Sequence, residues 1–193
     1  MRALSVVLLP LLLLATACSE PPHKELDRAQ GAIDAARAAG AEQYAPQAFA
    51  AATSALNQAH DAVAQRDYRL ALTRALDAGD RAQDAAKGAA DGKARARSEA
   101  ENAINAVTAA LGRLQGRIKT EGPRLPRATL DAATRTHRAA ELALQKARTA
   151  LNTGNYLQAS ETVTGLEPRI TAQIQAVDDA AEARPAKPPR RRR

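Results

Sequence analysis

Aromatic side chains are nearly missing from this chain: one Phe, three Tyr and no Trp stand among its 193 residues. Proteins that hold single-stranded nucleic acid stack bases on aromatics, and none interleaves the arginines here, so nucleic acid is not expected as a partner. Cysteine occurs once, at Cys18, which excludes an internal disulfide. The three histidines, His23, His60 and His137, have no second His or Cys at ligand spacing and form no His-Glu-x-x-His, so no metal is expected. Glycine-rich phosphate loops and a Gly-x-Ser-x-Gly elbow are also lacking; Ser54, Ser98 and Ser160 stand in helical runs. Carboxylate pairs such as Asp178-Asp179 fall on what reads as a solvated helix face. The expectation is a non-enzymatic protein without a cofactor. The longest apolar stretch, residues 3–14, is shorter than the roughly 20 residues a membrane-spanning helix needs.

Alanine fills the space left by the missing types, at roughly a quarter of the chain, well above ordinary usage. It is the best helix former, so helices are expected almost throughout. It also buries little area per residue, which predicts a thin core and an elongated all-α architecture of antiparallel hairpins. Charge is unevenly placed. Of 28 Lys and Arg, one is Arg2 and six lie in residues 184–193 (Arg184, Lys187, Arg190, Arg191, Arg192 and Arg193); the remaining 21 balance 21 Asp and Glu. The body is neutral, and the excess positive charge lies in the tail.

The amino-terminal residues have the pattern of an export signal: Arg2 is the basic n-region and residues 3–14 the apolar core. Leu14-Ala15-Thr16-Ala17-Cys18 resembles the lipobox of bacterial lipoproteins, in which a small residue precedes a cysteine. The position three before the cysteine is Ala15, with Leu14 one step further back. The resemblance implies cleavage between Ala17 and Cys18 and acylation of Cys18, and two or more acyl chains make a stable anchor. By likeness to Gram-negative lipoproteins, Ser19 rather than aspartate after the cysteine implies sorting to the outer membrane, facing the periplasm. Ala15-Thr16-Ala17 also fits an ordinary signal peptide, which would leave a lone free thiol.

The chain then divides into a signal (residues 1–17), a lipidated tether (18–23), an alanine-rich hairpin region with a long helix (24–121), a second hairpin (122–183) and a disordered Pro/Arg-rich tail (184–193). A first helix is expected over 24–39, ended by Gly40, and a loop over 40–46. Pro46 suits the first turn of a second helix that reaches about Gln65. Asp67 is a good N-cap for a third. Tyr68, Ala71, Ala75, Ala78, Ala82, Ala85 and Ala89 then step in threes and fours, a heptad seam of the coiled-coil kind. The seam resumes at Ala100, Ile104, Val107, Leu111, Leu114 and Ile118 with its phase shifted by about one residue, as expected of one helix that drifts toward the 3.6 period. Continuity through Gly88 and Gly92 is the favoured reading. Residues 122–126 close it, a fourth helix is expected over 127–152, and a fifth from near Tyr156, kinked or restarted at Pro168.

Two turns echo each other: Asp67-Tyr68-x-x-Ala71 and Asn155-Tyr156-x-x-Ala159. In each, the Asp or Asn is expected to cap the new helix, and the Ala to let two backbones approach. Tyr44-Ala45-Pro46, the seam of Leu56, Ala59 and Val63, the Asp67-Tyr68-x-x-Ala71 entry and the alanine ladder resemble domain of unknown function 4398, an alanine-rich domain of bacterial envelope lipoproteins. The resemblance covers roughly residues 24 to 100 and implies location and shape only. No OmpA-like domain follows in this sequence, so peptidoglycan binding is not carried over with it. Tetratricopeptide repeats enter helices similarly, but recur every 34 residues rather than at the wider spacing of these turns.

Two basic features remain. Arg113, Arg117, Lys119, Arg124, Arg127, Arg135 and Arg138 surround the Pro-rich loop, against Glu121 and Asp131. The tail, behind its Pro-Ala-Lys-Pro-Pro spacer, can reach an anionic surface such as phospholipid headgroups or peptidoglycan. Together these predict a membrane-anchored structural or scaffolding lipoprotein that bridges the outer membrane to such a surface. The alternative is an accessory subunit of an envelope assembly that docks a protein partner on its helical seams, and self-association through those seams is a further option.

Overall fold

A computed structural model describes residues 20–183, and its regular structure is all helical. In chain order the helices are α1 (His23–Ala38), α2 (Ala41–Tyr44), α3 (Pro46–Ala64), α4 (Tyr68–Glu121), a 3-10 turn (Gly122–Arg124), α5 (Arg127–Asn152), α6 (Tyr156–Val163) and α7 (Leu166–Glu182). The architecture is all-α, and α4 runs unbroken for 54 residues through Gly88 and Gly92. Packing divides the chain inside α4, into units Met1–Gly92 and Lys93–Arg193.

In the first unit α1, α3 and the first part of α4 share a core that is mostly alanine. Leu26, Ile33, Phe49 and Leu56 are its only larger members; Ala75, Ala78, Ala82, Ala85 and Ala89 form the α4 side. A face without bulk lets backbones touch. Gly88 meets the methyl of Ala45, and Gly92 sits against the Tyr44 backbone. The two glycines are sites of close contact, which is why they persist inside a helix. The segment between α1 and α3 is not the plain loop expected over 40–46. Gly40 adopts φ 90°, and α2 adds one helical turn, with Ala41 fully buried. Pro46 opens α3 as expected.

In the second unit the same seam logic uses larger side chains: Ile104, Val107, Leu111 and Leu114 from α4, Leu144 from α5, Val163 from α6, and Ile170 and Val177 from α7. Fully burying one such residue is worth about 1.5–3 kcal/mol, several times an alanine methyl. The expected fifth helix is two helices, and the break precedes Pro168. Gly165 turns the chain at φ 73°, and Pro168 then lies in the first turn of α7, where it costs no hydrogen bond.

The two echoing turns are built alike. Arg66 (φ 58°) and Gly154 (φ 81°) take the left-handed conformation. The Arg66 N–H donates to Val63 O at 2.9 Å and the Asp67 N–H to Ala62 O at 2.9 Å. Gly154 and Asn155 donate in the same way to Leu151 O (3.1 Å) and Ala150 O (2.9 Å). Both are Schellman closures whose last residue opens the next helix. Ala71 and Ala159, three residues after the tyrosines, are fully buried. The caps differ. Asp67 Oδ1 accepts the Leu70 N–H at 2.9 Å. Asn155 does not cap α6 with its side chain, contrary to expectation; its Nδ2 donates to Thr153 Oγ1 at 3.2 Å.

Candidate functional site

No polar or charged residue is buried among the described residues, so their ionic chemistry lies on the outside. A cluster of cations lies at one end of the second unit. There α4 finishes, the 3-10 turn reverses the chain and α5 begins. Leu111, Leu114, Ala133 and Ala140 take the inward positions. Arg113, Arg117, Lys119, Arg124, Arg127, Arg135 and Arg138 fall between them on the helix surface and are all exposed. Buried Gly122 allows the tight closure, with a Leu130 methyl carbon 3.4 Å from where a side chain would begin.

The end of α7 returns to the same place. Arg117 Nε lies 3.1 Å from Asp178 Oδ1, and its Nη2 donates to Oδ2 at 3.3 Å, a two-pronged ion pair. At half exposure such a pair is worth at most about 1 kcal/mol. Its value is topological: the last described turn of α7, and hence the exit toward Arg184, is at the arginine-rich end. The helix also brings Asp178, Asp179 and Glu182, which temper the positive field. These acids were legible as a solvated face, but nothing in a sequence separation of 61 residues marks Asp178 as the partner of Arg117.

Elsewhere most polar contacts fall within one helix or turn, and Arg148 with Thr108 joins two helices. His137 Nδ1 is 4.0 Å from Glu141 Oε2, beside an open cleft of about 310 Å³ where Arg148 donates to Thr108 Oγ1 at 3.1 Å. His60 and His23 are exposed. A larger groove of about 590 Å³ runs between α5 and α6. Its threonines, Thr149, Thr153 and Thr162, donate their hydroxyls to carbonyls of their own helices. Arg37 is held more basic than usual by its hydrogen bond to Glu42, and lies 5.2 Å over the Phe49 ring. Arg97 is likewise raised by its hydrogen bond to Glu101. Among the described residues no group of three or more His, Cys, Asp or Glu is arranged for a metal, and no helix is long and apolar enough to cross a membrane.

The remaining residues singled out from the sequence, Ala17, Cys18, Ser19, Arg184, Lys187, Arg190, Arg191, Arg192 and Arg193, lie outside the described residues. No family model matches this chain, and no curated protein or solved structure matches it either.

Proposed function

We propose that this chain is a non-catalytic scaffolding lipoprotein, fixed at the periplasmic face of the outer membrane through acylated Cys18, which makes a second attachment to an anionic surface through its arginine tail. Peptidoglycan and phospholipid headgroups both offer that surface. The observation that carries the reading is the meeting of Arg117 with Asp178. The chain leaves α7 toward the tail at the end where six further exposed cations are grouped. Cations near a charged membrane contribute about 1 kcal/mol each, so tail and helix end together make an attachment that salt weakens. The likeness of residues 14–18 to a lipobox supports the anchor, and the likeness to domain of unknown function 4398 supports the envelope location.

Expression in a Gram-negative host tests the anchor. The intact protein is expected in the membrane fraction with an acylated amino-terminal cysteine by mass spectrometry, and Cys18→Ala in the soluble fraction. An unmodified Cys18 on a soluble protein contradicts the proposal.

The docking alternative draws support from other residues than the seams. Ala133, Ala140, Leu144 and Ala147 are covered within the second unit, whereas Leu142 on α5 and Leu157 on α6 stand 54 % and 42 % exposed. Binding through those leucines would persist in high salt.

A further inference from the structure

Three of the large apolar side chains exposed among the described residues stand within the first turns of α4: Leu70, Leu72 and Leu76, at 37 %, 39 % and 50 %. Leu72 and Leu76 lie off the buried seam of Ala71, Ala75 and Ala78, on a face of α4 that stays exposed further along at Gln83 and Ala90. Helix α3 is antiparallel to α4 across a short turn, and α1 packs against α3, joined to it through α2. Helix α1 therefore begins at the end where α4 begins. The α2–α3 corner meets α4 at Gly88 and Gly92. From that level α1 rises about 24 Å over its 16 residues, while α4 rises about 36 Å between Gly92 and Tyr68. The first turns of α4 extend past the start of α1. Arg69, Leu72 and Leu76, at spacings of three and four, share one outward face there.

Something else reaches that end. The chain enters α1 at His23, five residues after Cys18, and a fully extended segment of that length spans about 17 Å. We propose that the first unit rests on the lipid surface through Leu72 and Leu76, with Arg69 reaching a headgroup phosphate. This rests on the anchor at Cys18 proposed above. Two half-exposed leucines and one arginine would bind a vesicle weakly alone. A tether of this length holds them beside the bilayer at high effective concentration, so the contact orients a protein that is already attached. Aliphatic side chains seated at headgroup level, with an arginine that keeps its charge in the polar layer, are the pattern of interfacial helices. The partner is the bilayer interface. A second copy of this chain and the apolar run 3–14 are the other occupants that would cover such a face.

The absence of tryptophan makes the test clean. The full chain carrying Leu76→Trp, and separately Gln47→Trp at the other end of the same unit, is placed on phosphatidylethanolamine/phosphatidylglycerol vesicles that contain brominated lipid. Attachment is through the native acyl groups or, where mass spectrometry finds the thiol of Cys18 free, through a maleimide lipid coupled to it. The anchor reading is thus judged by the mass and the surface contact by fluorescence. The L76W emission is expected to fall at least twofold in brominated vesicles, equally at 0.1 and 1 M salt, while Q47W emission stays unchanged. An unquenched L76W signal overturns the proposal. So does a blue shift without quenching, which would mean cover by protein, and so does quenching abolished by salt, which would mean the arginines alone hold the surface.

Discussion

A methyl group built on Gly92 would overlap the carbonyl oxygen of Tyr44, because α4 and the α2–α3 corner touch backbone to backbone there. Helix propensity and packing therefore oppose each other at this position. Replacing an interior helical glycine with alanine gains about 1 kcal/mol of propensity, but overpacking against a backbone atom costs about 1–3 kcal/mol. Gly92→Ala is expected to lower stability by up to about 2 kcal/mol by that balance, measured by urea unfolding. Gly112→Ala and Gly116→Ala, on the same helix with open space around them, are expected to raise it by about 0.5–1 kcal/mol each. Destabilisation by all three would mean that the contact at Tyr44 is not what distinguishes Gly92.

Arg66 holds φ 58° at the Schellman turn where its counterpart in the second hairpin is Gly154. A left-handed conformation costs a side-chain-bearing residue roughly 1 kcal/mol that glycine avoids. Arg66→Gly is expected to stabilise the chain by several tenths of a kcal/mol, after the entropy glycine adds to the unfolded state is subtracted. The reverse change, Gly154→Arg, is expected to destabilise by about 1 kcal/mol. Thermal melts of the pair read both signs.

The two turns also separate backbone closure from side-chain capping. Asp67 accepts the Leu70 N–H, whereas the Asn155 side chain bonds only Thr153 in its own turn. Asp67→Ala is expected to cost about 1 kcal/mol, and Asn155→Ala less than half of that. Equal losses in chemical denaturation would show that Asn155 caps α6 after all.

Much of this fold was written in residue periodicity. The alanine steps from Ala71 to Ala89 and the larger steps from Ile104 to Leu114 are both buried, and one helix carries them through Gly88 and Gly92. The glycines weigh against a helix by local propensity, and tertiary contact with Ala45 and Tyr44 outweighs it. The break at Gly165 was missed in favour of Pro168. A proline in a first helical turn is harmless, whereas a glycine that must turn left-handed ends the preceding helix. Of the candidate site, the arginine cluster was visible as composition. The pairing of Arg117 with Asp178 was not, because it depends on how three helices return to one end. The outward Leu72 and Leu76 belong to the same kind of information: the local pattern gives them as apolar, and the packing turns the alanine seam inward and leaves their face exposed.

The second attachment is tested most directly by sedimentation of residues 19–193 with purified peptidoglycan and, separately, with anionic vesicles. A version that stops at Ala183 is run beside it, at low and at physiological salt. The account predicts that the longer chain pellets with at least one of the two surfaces, that the shorter one remains largely in solution, and that binding weakens as salt rises. If neither chain pellets, or if both pellet equally, the tail is not a second anchor, and the exposed leucines of α5 and α6 become the surface through which a partner is held.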